Sequence, residues 1–174
     1  MINYASILFF MYKISKSFLL FISLFFLMNI EISLSFFSIF HTASPSLISI
    51  VIFLCIKKLN IKPSNLILFF LGIINDVIFG GNLGTNSIQL LLIKIFTERL
   101  SFEDVNKKND EDWIYFTIIF ITSFSIIFLI NTIANVSVPD LSPILFHIGV
   151  TLIIFPIINL SLDFIYFITN ILKN

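Results

Sequence analysis

In 174 residues this chain places only ten acidic and ten basic side chains, two histidines and one cysteine. Few of them fall where they could act together. The densest candidate is a stretch in which Gly72, Gly80, Gly81 and Gly84, four of the five glycines, surround Asp76. Gly72, Asp76 and Gly80 are four apart, so on a helix they share one face. Glycine on such a face admits a second helix backbone, as small residues do at transmembrane packing seams. A carboxylate on it is expensive unless it faces the bundle interior with a partner. Asp76 therefore carries two readings. It is either a binding carboxylate for a subunit or solute, or a helix-capping residue that holds a tight turn. A chain reversal at residues 81–83 would bring Ser87 or Gln89 opposite Asp76 as a hydrogen-bond partner.

The other polar residues offer less. Glu31, beside Asn29, Ser33 and Ser35, is expected to reach the lipid headgroups rather than a cavity. Asp163 shares a helical face with Asn159 and Phe167 and is expected to be a boundary residue solvated from one side. His41 and His147 each lack a second ligand at i+3 or i+4, so hydrogen bonding is expected of them, not metal binding. Cys55 lies alone in an apolar run and can form neither an internal disulfide nor a cysteine metal site. No H-E-x-x-H, G-x-S-x-G or P-loop pattern is present. Proteolysis by paired aspartates would need two at one depth, whereas Asp76 and Asp163 fall towards opposite membrane faces. The expectation is a non-enzymatic protein without metal or cofactor.

Composition dictates the elements that must position these residues. Hydrophobic residues make up 58% and charged residues 11%, against about a quarter charged in soluble domains. Mean hydropathy is +1.07. The chain therefore reads as a single all-α integral membrane domain. With zero net charge and no basic run, it offers no footprint for nucleic acid. The 23 phenylalanines, with abundant Ile and Asn, reflect A/T-heavy codons and carry no function.

Six apolar segments are expected to form a six-helix transmembrane bundle, at about residues 17–37, 45–56, 66–79, 83–96, 113–133 and 144–168. The first, fifth and sixth are long enough to cross a bilayer unaided. The second is short, although His41, Thr42 and Ala43 could extend it across Pro45. The third and fourth are short and joined by a tight Gly-rich hairpin. They cross fully or, as the minor topology, form a re-entrant pair. With six spans, every Lys and Arg falls on one side: Lys13, Lys16, Lys57, Lys58, Lys62, Lys94, Arg99, Lys107, Lys108 and Lys173. The positive-inside rule then places both termini in the cytoplasm. The charged stretch 97–112 becomes a cytoplasmic loop, and the first segment is read as a retained span, not a signal peptide.

The order of these landmarks resembles the rod shape-determining protein MreD family. After a Pro-containing cytoplasmic loop (here Pro63), that family shows Gly-x-x-x-Asp, then Gly, then Leu-Gly. This chain has Gly72, Asp76, Gly80 and Leu83-Gly84 in that order. Pro45 opens the second span, where the family has a Pro-Asp pair; Ser46 stands in place of the Asp. Pro156 in the last span and the basic tail with Lys173 also match. The layout likeness covers the whole chain and the motif about 40 residues of it. The resemblance implies a multi-pass protein of the bacterial inner membrane, acting as a scaffold in the complex that makes side-wall peptidoglycan. It implies binding to a bitopic MreC-like protein, alongside an MreB-like filament, a RodA-like glycosyltransferase and its transpeptidase. Gly72, Asp76, Gly80, Leu83 and Gly84 would then shape the hairpin on which MreC docking depends.

A second reading is a solute-capture membrane subunit like those of energy-coupling-factor vitamin transporters, which also have about six helices. Asp76, Asn86, Gln89 and Glu31 would line its outward-facing pocket. The very short outer loops argue against it.

Overall fold

Among the described residues six helices follow one another: α1 (Tyr4–Ser35), α2 (Leu47–Lys57), α3 (Asn65–Phe79), α4 (Thr85–Ser101), α5 (Asp112–Asn135) and α6 (Leu141–Ile171). The computed structural model describes the backbone of residues 4–37, 44–79, 82–101, 112–135 and 141–171. It describes the side chains of 18–37, 44–79, 82–100, 112–133 and 141–163. Among these residues three segments are long and apolar enough to cross a membrane: Phe18–Ser35, Asp112–Ile133 and Leu141–Asp163. The chain is thus a helical membrane protein. Helices α2 and α3 are shorter apolar helices. At 1.5 Å per residue, α2 is about 16 Å long, roughly half a hydrocarbon core of about 30 Å.

The boundaries depart from the sequence reading where local chemistry intervenes. α2 begins at Leu47 with Ser46 as its N-cap, so Pro45 precedes the helix and does not lie inside a longer one. Proline pushes the residue before it out of helical conformation. Its other end is set by Asn60 at φ 50°, where Ile61 N–H reaches back to the Cys55 carbonyl at 2.9 Å, a left-handed helix stop. α4 continues past residue 96 to Ser101. Hydropathy drops at Thr97, Glu98 and Arg99, but helix formation does not. Buried Thr97 returns its hydroxyl to the Ile93 carbonyl at 2.6 Å.

α4 packs on three helices, α3, α2 and α5, while α1 touches α2 and α3, and α6 touches α2 and α5. The core is apolar, drawn from all six helices and closed by an aromatic cluster. Phe116 stacks on Phe155 with centroids 4.4 Å apart, and Phe53 meets both edge-on at 5.4 and 5.7 Å. These contacts join α2, α5 and α6 at one level. In lipid such interdigitation, not water exclusion, holds helices together.

Candidate functional site

Helices α2 and α4 both start against a neighbouring helix, α2 at buried residues and α4 at half-buried ones, and a helix start leaves N–H groups without intrahelical partners. In a membrane protein each such group left unpaired costs several kcal/mol. Neither helix has a capping residue that solves this locally. α4 is preceded by Gly84, whose carbonyl accepts the first helical bond from Ile88 N–H at 2.9 Å but which has no side chain to cap with. At α2 the Ser46 hydroxyl is engaged with the Ser49 hydroxyl, 2.6 Å away.

Both helices take their caps from the preceding helix. Asp76 on α3, fully buried, accepts the Gly84 N–H on Oδ2 at 2.6 Å. Its Oδ1 accepts the Asn86 N–H at 3.1 Å and the Thr85 hydroxyl at 3.0 Å. Glu31 on α1, also buried, accepts the Leu47 N–H at 3.1 Å and the Ile48 N–H at 3.5 Å through Oε2. The Ser46 N–H goes to the Thr151 hydroxyl of α6 at 3.1 Å. His147, one turn before Thr151, meets the Ser44 carbonyl through Nδ1 at 2.5 Å. A carboxylate at a helix N-terminus also meets the positive end of the helix dipole. The device is used twice: the end of one helix carries an acid that grips the start of the next.

Each expected site residue among those described has a definite place. At Gly72 the backbones of α3 and α4 come close: a Cβ there would overlap the backbone N and Cα of Ser87. Ser87 in turn donates its hydroxyl to the Phe69 carbonyl at 2.8 Å, binding α4 to α3 directly. At Gly72 the second helix backbone that the glycine admits is the chain's own α4. Gly84 adopts φ +95° with open space around a built Cβ, so backbone conformation, not crowding, favours glycine there. Leu83 is 73% exposed and takes no part in the cap. Gly80 lies outside the described residues, as do His41 and positions 102–111 of the charged stretch.

Other expectations change. Ser87 and Gln89 do not hold Asp76, because the cap is built by the first residues of α4, nearer the turn. Glu31 does not reach headgroups; it turns inward, since the α2 start offers it two N–H groups. Its neighbours Asn29, Ser33 and Ser35 bond back to their own helix. Asp163 is half-exposed and pairs with Lys58 at 2.6 Å. Sequence reasoning missed the roles of Thr151 and Ser46. No sequence signal marked them, because serine is an ordinary N-cap residue and the engagement of its hydroxyl with Ser49 is visible only in the structure. Among the described residues no His, Cys, Asp or Glu group of three could hold a metal. Asn75 Oδ1, Gln89 Nε2 and Asn159 Oδ1 are the buried side-chain atoms there without a hydrogen-bond partner.

The arrangement can hold helices in register and present a shaped hairpin. Its two central carboxylates are already engaged by backbone. Compared with known protein families, with curated proteins and with solved structures, the chain matches none.

Proposed function

We propose that this protein is a non-enzymatic, MreD-like scaffold of the bacterial cell-elongation complex, and that it binds a bitopic MreC-like partner. The observation that carries the reading is that Gly72, Asp76 and Gly84, three positions of the resembling motif, act on one structural unit. Gly72 admits Ser87, Asp76 caps α4, and Gly84 supplies both the turn and the shortest of the cap bonds. A motif spread over thirteen residues thereby acquires a single physical purpose, the geometry of the α3–α4 hairpin. In this reading all six helices cross the inner membrane, both termini are cytoplasmic, and the short α2 tolerates its length because neighbours bury most of it. Exposed Leu83, with Val77, Ile78 and Phe79 on the same hairpin, is then the surface offered to the partner's single span. MreB-like, RodA-like and transpeptidase components associate indirectly.

The test is a mild-detergent pull-down of the tagged protein from its host with identification of co-purifying proteins. Recovery of a bitopic MreC-like protein is the expected result, lost in Gly72→Leu at unchanged expression. Recovery of an ATPase pair and a coupling membrane subunit would overturn it. That outcome belongs to the solute-capture reading, which the unpartnered Asn75 Oδ1 and Gln89 Nε2 favour. Against it stands the engagement of Asp76 and Glu31 in helix caps. A thermal-shift screen with vitamins separates the two, since a capture subunit gains stability from its ligand.

A further inference from the structure

Pro156 lies inside α6, where it has no N–H to give the Leu152 carbonyl one turn earlier. That carbonyl is nevertheless bonded. The indole Nε1–H of Trp113, in the first turn of α5, donates to it at 3.2 Å. Trp113 is the only tryptophan in the chain, and among aromatic side chains only tryptophan brings so long a ring with a donor at its edge. Directly beside this contact Phe155 stacks on Phe116, which makes the turn before the proline a fixed point. The turns after it are held differently. Pro156, Ile157, Leu160 and Ser161 are exposed, while Ile158 and Leu162 rest against the core edge. Among the described residues, the charged tie of this arm is Asp163 to Lys58, just past the end of α2.

We propose that Pro156 and Trp113 form a hinge and latch, in which the carbonyl freed by the proline is the socket for the indole of α5. The latch holds the turn before the proline and so sets the base from which the arm of α6 beyond residue 156 leaves the joint; the arm has a docked position, secured by the Lys58–Asp163 clamp, and a released one that loosening of the latch favours. A proline alone would leave α6 bendable at this point and Leu152 unpaired in an apolar setting. The indole bond removes that orphan only when α5 and α6 stand at one separation and rotation. The conformation of the α6 arm is thereby tied to the first turn of α5. Nearby, Lys57 lies over the Tyr115 ring at 5.1 Å, so the end of α2 is held to the same turn. Three helices meet at one joint, and a change at any of them is felt by the arm.

Amide hydrogen exchange on the full chain in lipid nanodiscs, with peptides covering residues 157–163, tests this. Trp113→Phe keeps an aromatic ring and removes the donor, and exchange in the arm should rise roughly three- to tenfold, the value of one net hydrogen bond. Exchange in α3 and α4 should not move. Lys58→Gln should raise arm exchange as well. Pro156→Ala gives Leu152 an N–H of its own helix, so Trp113→Phe should be silent in that background. If Trp113→Phe leaves arm exchange unchanged, or acts equally with and without Pro156, the latch does not exist. A general loosening of the fold would raise exchange in α3 and α4 too, and would equally overturn the proposal.

Discussion

Asp76→Asn is the most informative single change, because it preserves shape while removing what the cap needs. The carboxylate accepts three bonds, the shortest from Gly84 N–H to Oδ2 at 2.6 Å. An asparagine can keep its oxygen on the Asn86 N–H and the Thr85 hydroxyl, but its amide nitrogen must then face the Gly84 N–H, donor against donor. One charge-assisted bond, worth about 1.5–3 kcal/mol, is lost outright, and the other two fall to neutral strength at about 1 kcal/mol each. Gly84, Thr85 and Asn86 are only half-buried, so the low end of these values applies and the sum is about 2.5 kcal/mol, or roughly 70-fold in the unfolding equilibrium. Asp76→Ala leaves the Gly84 and Asn86 N–H groups without an acceptor, while the Thr85 hydroxyl keeps the Asn82 carbonyl at 2.9 Å, and should be worse, at about 4 kcal/mol. Titration of the purified protein with sodium dodecyl sulfate in mixed micelles, followed by Trp113 emission, measures both. An Asp76→Asn protein within about 0.5 kcal/mol of the parent would refute the capping role. Stability would then not depend on the charge, and Asp76 would stand as a ligand-binding carboxylate.

Further outcomes follow from neighbouring contacts. Gly72→Ala should destabilise by about 1–3 kcal/mol in the same titration, since its methyl must push α4 away from α3; an unchanged midpoint would contradict the packing at Ser87. Glu31→Gln should cost about 1 kcal/mol, because one amide oxygen can still accept both N–H groups, whereas Glu31→Ala should cost about 2–3 kcal/mol. Equal losses for the two would sink the cap at α2. Thr151→Val, isosteric but without a hydroxyl, should cost about 1–2 kcal/mol by orphaning the Ser46 N–H; a neutral effect would mean that this bond is not formed. Lys58→Ala should change global stability by less than about 1 kcal/mol, as befits a partly solvated pair, and the loss should shrink in high salt.

Much of the architecture was legible in the residues. Apolar runs and a scarcity of charge fix an all-helical membrane protein, because long apolar helices satisfy their own backbone polar groups in lipid. The close approach at Gly72 followed from glycine at four-residue spacing, and the hydrogen-bonded role of His147 from the lack of a second ligand. The pairings within the caps were not legible. Asp76 had two readings on paper because a pattern of spacing says which face a carboxylate shares, not what the next helix puts in front of it. Glu31 was assigned to the headgroups by depth alone. Its position sixteen residues before Leu47 says nothing about the return of α2, which starts where Pro45 and Ser46 allow.

Sequence by itself determined what is local: which segments are apolar enough to be helices in lipid, and which residues are too polar to face it. The tertiary structure decided how those polar residues are satisfied. A free helix N-terminus is a short-range demand for an acceptor, and Glu31, Asp76 and Thr151 meet it from other helices. The carbonyl freed by Pro156 is the same kind of demand, met by Trp113 from α5. Such pairings depend on the distance and rotation between helices, which arise only when the whole set packs.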